Sequence, residues 1–530
     1  MVNTEAELKL RLTDPGCLSA LLQDALLHEL STQPPRTELL ETTYYDTADQ
    51  RLLHSRLSYR LRLAAGEWTA TVKADGTSDG GLHERAEYNI PVDNPLPSIE
   101  PFEATEIGPR LIEAVQGMPL EPVFITRFER HIVDITTPDG STIELALDDG
   151  EIIAGDKQQK LLELELELKT GHRHALIWLG SVLAEKFPLL PEHDSKLYRA
   201  MVLAGLAKGL SQDEKLPCPL KKSSGALPAK QAFSQTIIHN LHVVIRAQQA
   251  YLTSPDEVDN IHDFRVALRR LRAQLQLAKP LLPPEDYTAW QDKLTAWSRK
   301  LGKIRDLDVF RLNWDELAYA LETNLSSPTN KLALTALITD KCQAARAELY
   351  PQVAAGQFTP VLLGLWAFLE TWPVADETEP TCKKFVLDRL THWLTQFLEQ
   401  GDTLTMDDLA AAHELRIACK RLRYALDSLS PVLPDNTRLL TRRLEQLQDV
   451  LGSIQDVTFT PPLLQELVKA SASRLAHHNA GLITGWQLAR ATTAIASWET
   501  TWLKVKKAAA KAKKLKPREE AEINKRSPEL

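Results

Sequence analysis

Alternation of polar and apolar residues dominates the first two hundred residues of the chain. Apolar side chains at every second position are typical of strands with one buried face. The pattern predicts seven strands and a shorter eighth: Thr4–Leu12, Leu57–Ala64, Trp68–Asp75, His83–Val92, Val123–Ile135, Ser141–Ile153, Lys160–Thr170 and Thr42–Tyr45. Two helices are predicted between them, at Gly16–Leu30 and His174–Phe187. This number of strands favours one antiparallel sheet or a closed barrel.

The polar faces of these strands carry clustered charge of both signs. Glu5, Glu7 and Lys9 share one face of the first strand, and Glu163 and Glu165 share one face of the last. A solvated face would explain any single strand. Carboxylates at this spacing repel one another unless cations lie between them, and Mg²⁺ or Mn²⁺ binds both carboxylate and phosphate oxygens. A barrel with a charged lumen and an apolar outer face under helices accounts for both patterns.

Short motifs in this region occur in the order found in one family. Glu5-Ala-Glu7-Leu-Lys9 matches an ExExK signature, and it is followed by TYYDTAD (43–49), LSYRLR (57–62), VKADGTSDGGLHERAEY (72–88), RFER (127–130), IELALDDGEI (143–152), LELELEL (162–168) and SKLYRA (195–200). Over about residues 1–205 the chain resembles the CYTH family, the triphosphate tunnel metalloenzymes, and most nearly the bacterial two-domain inorganic triphosphatase type. The resemblance implies an eight-stranded tunnel that hydrolyses a linear triphosphate with a divalent metal.

The resemblance also implies roles for individual residues. The expected metal ligands are Glu5, Glu7, Glu163, Glu165, Glu167 and Asp148. The expected catalytic residues are Glu5, Glu7, Lys9, Glu144, Asp148 and Glu165, and the expected phosphate-binding residues are Lys9, Arg60, Arg62, Lys73, Arg85, Arg130 and Lys196. Arg127 alternates out of phase with Arg130, and the family pattern favours Arg130 for the lumen. Both Mg²⁺ and Mn²⁺ stay open as the cofactor.

Beyond a linker at residues 206–228, the apolar period changes to that of a helix, and the sequence repeats itself. Ser254-Pro255 and Thr405 are predicted to open two helices that end at Pro280 and Pro431. The segments IHDFRVALRRLRAQ (261–274) and AHELRIACKRLRYAL (412–426) align at an offset of 151, and LGKIRDLDVF (301–310) aligns with LGSIQDVTF (451–459) at an offset of 150. We therefore predict a helical domain at residues 229–500 built from two copies, at 229–312 and 383–459.

Each copy carries a basic stripe along one helix. His262, Arg265, Arg269 and Arg272 fall at i, i+3, i+7 and i+10. A solvated face is the alternative explanation, but like charges at this spacing repel, and a nearly pure stripe that occurs twice favours a polyanion site. The repeats resemble the CHAD domain, which implies binding of inorganic polyphosphate without catalysis. The expected polyphosphate-binding residues are His262, Arg265, Arg269, Arg270, Arg272, Arg305, His413, Arg416, Lys420, Arg421 and Arg423.

The two copies are not identical, and the chain ends in a basic segment. Gln455 stands where Arg305 does, and Thr458 stands where Asp308 does. It therefore stays open whether the two copies contribute equally to polyphosphate binding. Residues 501–530 are a lysine-rich tail, with seven lysines between Lys504 and Lys516, which we expect to attract polyanions of any sequence.

Composition and charge set the wider expectations. The chain has 530 residues, 43% of them hydrophobic, and five scattered cysteines without a CxxC pair. Residues 1–210 hold 34 acidic and 20 basic residues, whereas the remainder holds 37 and 42. No apolar run reaches the length of a membrane span, and the amino terminus does not resemble a secretory signal.

These observations predict an α+β multidomain protein in the cytoplasm, and association with polyphosphate granules there stays open. The expected partners are inorganic triphosphate and inorganic polyphosphate, with no specific nucleic acid and no membrane, and the oligomeric state is undetermined. Two alternative functions stay open. One is an enzyme acting on an organic triphosphate, such as an adenylate cyclase or a thiamine triphosphatase, and the other is a non-catalytic polyphosphate-binding granule protein.

Overall fold

The amino-terminal residues form a closed antiparallel β-barrel. The computed structural model describes residues 3–207, 216–324, 332–372, 379–469 and 471–513. The strands are β1 (Asn3–Leu12), β2 (Arg36–Asp46), β3 (Leu57–Ala64), β4 (Glu67–Asp79), β5 (Leu82–Val92), β6 (Glu121–Thr136), β7 (Thr142–Ala154), β8 (Lys157–Thr170) and β9 (Leu189–Pro191). The order β5-β4-β3-β2-β6-β7-β8-β1 closes because β1 pairs with both β5 and β8, and β9 adds to β1. The predicted eight-stranded tunnel is confirmed.

Apolar side chains on the outer face of the barrel are covered by short helices. These are α1 (Leu18–Leu22), α2 (Ala25–Leu30), α3 (Arg51–His54), α4 (Gly108–Val115) and α5 (Arg173–Lys186), whereas α6 (Lys196–Ala204) packs against the inner face. Leu61 and Val72 point outward and pack beneath Leu111 of α4. On another side, α5 lies so close to β1 that a Cβ atom on Gly180 would come within 2.6 Å of Leu8. Because the outward-facing side chains pack under helices, the side chains at the alternate positions of each strand line the lumen.

One part of the lumen is apolar rather than charged. Phe124, Phe128 and Leu161 face inward and pack against Ala200 of α6, so this helix fills the barrel interior on that side. The backbone alternation places Phe128 and Arg130 on the same face of β6. We call this group of side chains, completed by Leu40, Tyr44, Ile152 and Ala154, the apolar floor.

The rest of the chain is helical and contains the predicted duplication. The helices are α7 (Ala229–Thr253), α8 (Val258–Ala278), α9 (Pro284–Asn324), α10 (Leu332–Ala354), α11 (Thr359–Glu370), α12 (Cys382–Thr403), α13 (Leu409–Ser428), α14 (Thr437–Lys469) and α15 (Arg474–Lys513). The order α7–α8–α9 recurs as α12–α13–α14, and a short 3₁₀ turn follows both α8 and α13. The two repeated helices α8 and α13 pack against each other. Residues 208–215 of the predicted linker and 514–530 of the predicted tail lie outside the described residues.

Several local predictions were wrong. The strand expected at Thr42–Tyr45 runs from Arg36 to Asp46, and the helix expected at Gly16–Leu30 is broken before Ala25, where Asp24 caps a new helix by accepting a hydrogen bond from Leu26 N–H. α8 and α13 each begin several residues after the expected position. At α8 the reason is a turn in which Glu257 N–H donates to the Ser254 carbonyl, so residues 254–257 precede the helix.

Contacts divide the chain into two compact units that do not follow the linear sequence. The first comprises residues 1–215, 241–252 and 350–371, and the second comprises residues 216–240, 253–349 and 372–530.

Within the described part of the chain, no single helix is both long and apolar enough to cross a membrane. The helices α10 and α11 reach that length and hydropathy only as a pair, which is bent by 50°.

A glycine in α12 tests the packing of the last helix. An alanine Cβ at Gly401 would lie 2.2 Å from the indole of Trp502, which is itself packed against Phe397 and Trp498. We expect Gly401→Ala to lower the free energy of unfolding by about 2 kcal/mol, because overpacking outweighs the gain in helix propensity. The control is Gly481→Ala in α15, where nothing lies within 4 Å and a gain of about 1 kcal/mol is expected. Equal thermal unfolding of the two variants would contradict this packing.

Candidate functional site

Every barrel residue assigned a role in the sequence lies on the lumen face. The set comprises Glu5, Glu7, Lys9, Arg60, Arg62, Lys73, Arg85, Arg130, Glu144, Asp148, Glu163, Glu165, Glu167 and Lys196. Arg127 lies on the outer face, where its Nε donates to Glu41 Oε2 at 2.9 Å. The alternation of β6 therefore separates the two arginines of the RFER motif in the way the sequence suggested.

A buried cluster at the centre of the lumen is built around Glu165. Its carboxylate accepts hydrogen bonds from Lys9, from Lys196 Nζ at 2.7 Å and from Arg130 Nη2 at 2.5 Å. Asp148, which is fully buried, accepts two hydrogen bonds from Arg130 at 2.7 Å each and a third from Lys196 at 2.7 Å. Two carboxylates thus hold three cations inside the barrel, which come from β1, β6 and α6.

A second cluster, which involves β1, β3, β4 and β5, adjoins the same lumen. Lys73 Nζ lies 2.6 Å from Glu5 Oε2 and 3.1 Å from Glu87 Oε2. Arg60 reaches Glu87 at 3.2 Å and the hydroxyl of Tyr44 at 3.3 Å. Glu87 had no role in the sequence-based assignment, although it shares a strand face with Arg85 and its position could have been inferred from that alternation.

Burial and neighbouring charge shift the acidity of these groups in different directions. Burial raises the pKa of Glu5 to about 7, despite the nearby Lys73. Burial acts in the same direction on Glu7, but the positive groups around it, chiefly Lys9, together outweigh burial and lower the pKa of Glu7 to about 2. For Glu165 the opposing cations, chiefly Lys196, hold the pKa well below its usual range. The lumen therefore holds one carboxyl that changes its protonation state near neutral pH beside others that stay ionised.

Some guanidinium groups in the lumen are short of hydrogen-bond acceptors. Burial, together with repulsion from Arg60 and Arg130, lowers the pKa of Arg62 to about 10. Within the described residues, Arg62 hydrogen-bonds only to the hydroxyl of Thr42, at 3.4 Å. The buried Nε atoms of Arg60 and Arg85 find no acceptor in the described chain. Buried donors without acceptors are costly, and an anion in the lumen would satisfy them.

The lumen carboxylates have the chemistry of a divalent-metal site. The neighbouring strands β1 and β8 supply four hard oxygen donors, Glu5, Glu7, Glu163 and Glu165. The negative charges of Glu7 and Glu165 repel each other. Among the described residues, no three of them already converge on one point. Their oxygens instead contact amines and guanidinium groups, so the donor set fits a cation once those groups turn toward a phosphate.

Other lumen residues have separate partners. Glu144 lies 2.9 Å from Arg36 and 3.4 Å from Lys169, four residues along β7 from Asp148, which corresponds to about 13 Å of strand. Glu167 pairs with the same Lys169 at 2.8 Å. Arg85 contacts the ring of His83 at 3.1 Å. These residues share the lumen without joining the cluster around Glu165.

A cation on α6 was missed by the sequence analysis. Arg199 Nη1 donates to the buried Glu163 at 2.9 Å, and Glu163 also lies 3.3 Å from Lys196. The signal was present, because Lys196 and Arg199 are three residues apart in SKLYRA and must share one face of a helix. Helix α6 therefore delivers two positive charges to the carboxylates of β8.

On the helical repeats, four cations from the two basic stripes come together. Arg265 and Arg269 of α8 and Arg416 and Lys420 of α13 lie within electrostatic reach of one another, and we call them the repeat cluster. Burial and then repulsion from Arg269 and Arg416 lower the pKa of Lys420 to about 6. Asp306 partly offsets this charge through Arg265, at 2.9 Å.

The remaining predicted residues of the stripes have other neighbours. Arg272 bonds Ser298 at 3.3 Å and Arg423 bonds Glu445 at 3.4 Å, while Arg270 is near Asp427. Arg421 lies over the ring of Trp393, with its charged carbon 4.6 Å from the ring centre. These predicted residues therefore lie outside the repeat cluster, and each has a different neighbour.

The two repeats also differ around their histidines. Burial lowers the pKa of His262, and Arg305 beside it acts in the same direction. In the second repeat, His413 Nδ1 lies 2.5 Å from the amide oxygen of Gln455, so a neutral group replaces the arginine. Asp308 of the first repeat is fully buried in a two-pronged contact with Arg346, which Thr458 of the second repeat cannot form.

Comparisons with known proteins agree with the division into two kinds of domain. The CYTH domain family matches residues 3–201, and the CHAD domain family matches residues 235–465. An inorganic triphosphatase from Haemophilus influenzae is 37% identical over 133 residues, which are 25% of this chain and only 37% of that protein.

Two solved structures each match part of the chain at a TM-score below 0.5. A CHAD domain from Ricinus communis is 26% identical, with a TM-score of 0.43, and the match covers 54% of this chain and 96% of that one. A Hippeastrum protein in which a dominant triphosphatase activity was found is 21% identical, with a TM-score of 0.30, and the match covers 39% of this chain and 98% of that one.

Proposed function

Because this chain joins a CYTH domain to a CHAD domain, we propose that it hydrolyses inorganic triphosphate in the barrel lumen with the help of a divalent metal. The observation that carries the proposal is the surplus of buried guanidinium donors on Arg60 and Arg85, beside the weakly bonded Arg62, in a closed lumen that also holds ionised carboxylates. Such a lumen combines acceptors for a metal with donors for a polyanion. The similarity to an inorganic triphosphatase supports the same substrate class.

The division of labour in the proposed reaction follows from the two kinds of charge. Arg60, Arg62, Arg85 and Arg130 would bind the phosphate oxygens, because guanidinium groups form paired hydrogen bonds with them. Lys9, Lys73 and Lys196 would leave their carboxylates to neutralise the leaving pyrophosphate. Glu7, Glu163 and Glu165 would hold Mg²⁺ or Mn²⁺, which lowers the barrier by neutralising charge on the phosphate oxygens.

Hydrolysis also requires an acceptor for the proton of the attacking water. Water oxygen bonds to the terminal phosphorus, the bridging P–O bond breaks, and pyrophosphate leaves with the electron pair. Glu5 is suited to accept the proton, since it lies on the lumen face of β1 beside the proposed metal ligands and Lys73 holds its carboxylate at 2.6 Å. Asp148, which is fixed by Arg130 and Lys196, would instead keep those two cations in position.

The substrate can be tested by phosphate release from the purified full-length chain. We expect release from tripolyphosphate in Mg²⁺ or Mn²⁺, and much slower release from ATP and thiamine triphosphate at equal concentration. Faster turnover of either organic compound would favour the alternative of an organic triphosphate enzyme. An absence of release from all three would favour the non-catalytic alternative.

We propose separately that the repeat cluster binds inorganic polyphosphate. Its four cations come from both copies of the duplicated unit, and only Asp306 is in direct ionic contact with one of them among the described residues. Concentrated charge of one sign attracts a polyanion and is costly without one. Because the pKa of Lys420 is lowered, we expect polyphosphate binding at this cluster to depend on pH, unlike binding to a patch of ordinary lysines and arginines.

Binding of polyphosphate is expected to take up a proton at Lys420. Phosphate oxygens beside the cluster would move the pKa of Lys420 upward from about 6, so affinity should rise as pH falls from 8 to 6, by at most about tenfold per pH unit. Calorimetry at pH 7.5 in two buffers of different ionisation enthalpy measures the uptake. Lys420→Met should abolish it, whereas Lys384→Met, at an exposed lysine of α12, should not. Uptake that persists in Lys420→Met would contradict this assignment.

A further inference from the structure

A pocket on the helical repeats combines aromatic rings with positive charge. It has a volume of about 670 Å³ and is lined by Lys279, Pro280, Leu282, Tyr287, Arg389 and Trp393 among others. That volume lies within the range of small-ligand sites. The walls come from the end of α8, the start of α9 and the middle of α12, and no carboxylate is among the described residues that line it.

The cations of this pocket lie on the faces of its rings. Lys279 Nζ is 5.0 Å from the centre of the Tyr287 ring. Two guanidinium groups lie over Trp393, that of Arg421 at 4.6 Å and that of Arg389 at 5.7 Å. Aromatic faces attract cations at these distances, so the rings hold the positive groups in place around the pocket.

Neither of these guanidinium groups forms an ion pair with a carboxylate of the described residues. Burial lowers the pKa of Arg421, and repulsion from Arg389 acts in the same direction. The buried Nε atoms of Arg389 and Arg421 have no acceptor within the described chain. A pocket that gathers such donors of like charge is suited to an anion with several oxygens, such as a phosphate group.

The pair of rings around the pocket belongs to one repeat only. At the corresponding positions of the other repeat, at the offset of 150, Val243 stands where Trp393 does and Thr437 stands where Tyr287 does. The basic stripe occurs in both copies, but the pair of rings occurs in one. A linear inorganic phosphate has no flat face to stack and gains nothing from apolar walls, whereas a nucleobase gains from both.

We propose that this pocket binds a free nucleoside phosphate, with the base against Tyr287 and the apolar wall, and the phosphates at Arg389 and Lys279. The proposal does not depend on hydrolysis in the barrel or on polyphosphate binding at the repeat cluster, since the pocket shares no residue with either. It adds a small-molecule site to the helical domain.

Calorimetric binding of ADP to the full-length chain tests the proposal, with inorganic pyrophosphate as the probe that has the same phosphates and no base. We expect Tyr287→Leu to weaken ADP binding about tenfold and leave pyrophosphate binding unchanged, since loss of one stacked base costs that much. Tyr287→Phe should stay within about twofold of wild type, because it keeps the ring. Arg389→Gln should weaken both probes.

A matched control and a mapping experiment decide the location. Lys300→Gln removes another lysine held over a ring, that of Trp297 at 4.4 Å on the same helix, and should leave ADP binding unchanged. Photolabelling with 8-azido-ADP should modify the peptides that contain Tyr287 or Trp393. Labelling confined to barrel peptides, equal ADP affinity of wild type and Tyr287→Leu, or tighter binding of an oligoadenylate than of ADP would each overturn the proposal.

Discussion

Substitution of Glu165 by glutamine is expected to lower kcat/KM for tripolyphosphate by about 10³-fold. The amide keeps the size of the side chain but removes the charge that holds Lys9, Arg130 and Lys196 together. It also removes one of the proposed metal ligands. Because both the metal and the phosphate-binding cations depend on this carboxylate, its loss should affect turnover more than any other single change in the lumen.

The control for this variant is Glu41→Gln. Glu41 also accepts from an arginine, Arg127, but on the outer face of β2. We expect its kcat/KM to stay within about twofold of wild type. Phosphate release should be measured at several concentrations of Mg²⁺ and Mn²⁺, since loss of a ligand must shift the metal dependence. Undiminished release by Glu165→Gln at all metal concentrations would exclude the lumen as the site of hydrolysis.

The second large effect is expected on stability. Lys196→Met should destabilise the barrel by about 3–5 kcal/mol, because Asp148, Glu163 and Glu165 would lose a buried cation. Lys196 lowers the pKa of both glutamates, so its removal raises those pKa values in the folded state. A raised carboxyl pKa favours the folded protein at low pH, and this contribution is lost as pH rises, so the variant should be most unstable at alkaline pH.

Two further measurements distinguish lost charge from lost packing. A divalent metal at millimolar concentration should restore part of the melting temperature of Lys196→Met, since the freed carboxylates can bind it. Lys160→Met on the same β8 removes an exposed ion pair with Asp149 and should change stability by less than about 1 kcal/mol. A Lys196→Met protein that melts like wild type at both pH 5 and pH 8 would contradict the buried network.

The sequence predicted the barrel well where alternation is strict. In β1 and β8 leucine alternates with charged residues, so the sequence alone assigns the inner and outer faces of these strands. β2 was underestimated because its early residues break the pattern: Leu39 is 75% exposed while Leu40 is buried. Alternation also cannot show which opposite charges meet in the lumen, since the contact of Lys73 with Glu5 joins residues 68 apart in sequence and depends on the pairing of β1 with β5 that closes the barrel.

On the helical repeats, spacing predicted the stripe but not its extent. Residues at i, i+3 and i+7 share a face, which brought Arg265 and Arg269 to the partner helix. Arg421 immediately follows Lys420, which places it about 100° further around the helix, and it joined Trp393 in a different pocket. Neighbouring residues of the basic runs RRLR and KRLR therefore belong to different surfaces. The tertiary packing, and not the sequence, shows which surface each residue joins.

The apolar floor has a consequence for long substrates. Phe124, Phe128 and Ala200 pack together inside the barrel, so in the proposed reaction we expect a phosphate chain at the cluster around Glu165 to stop there. A polymeric substrate would then insert one end and leave through the same opening after each cut. We expect distributive shortening of long chains, with products of every intermediate length, rather than continuous feeding of a single strand.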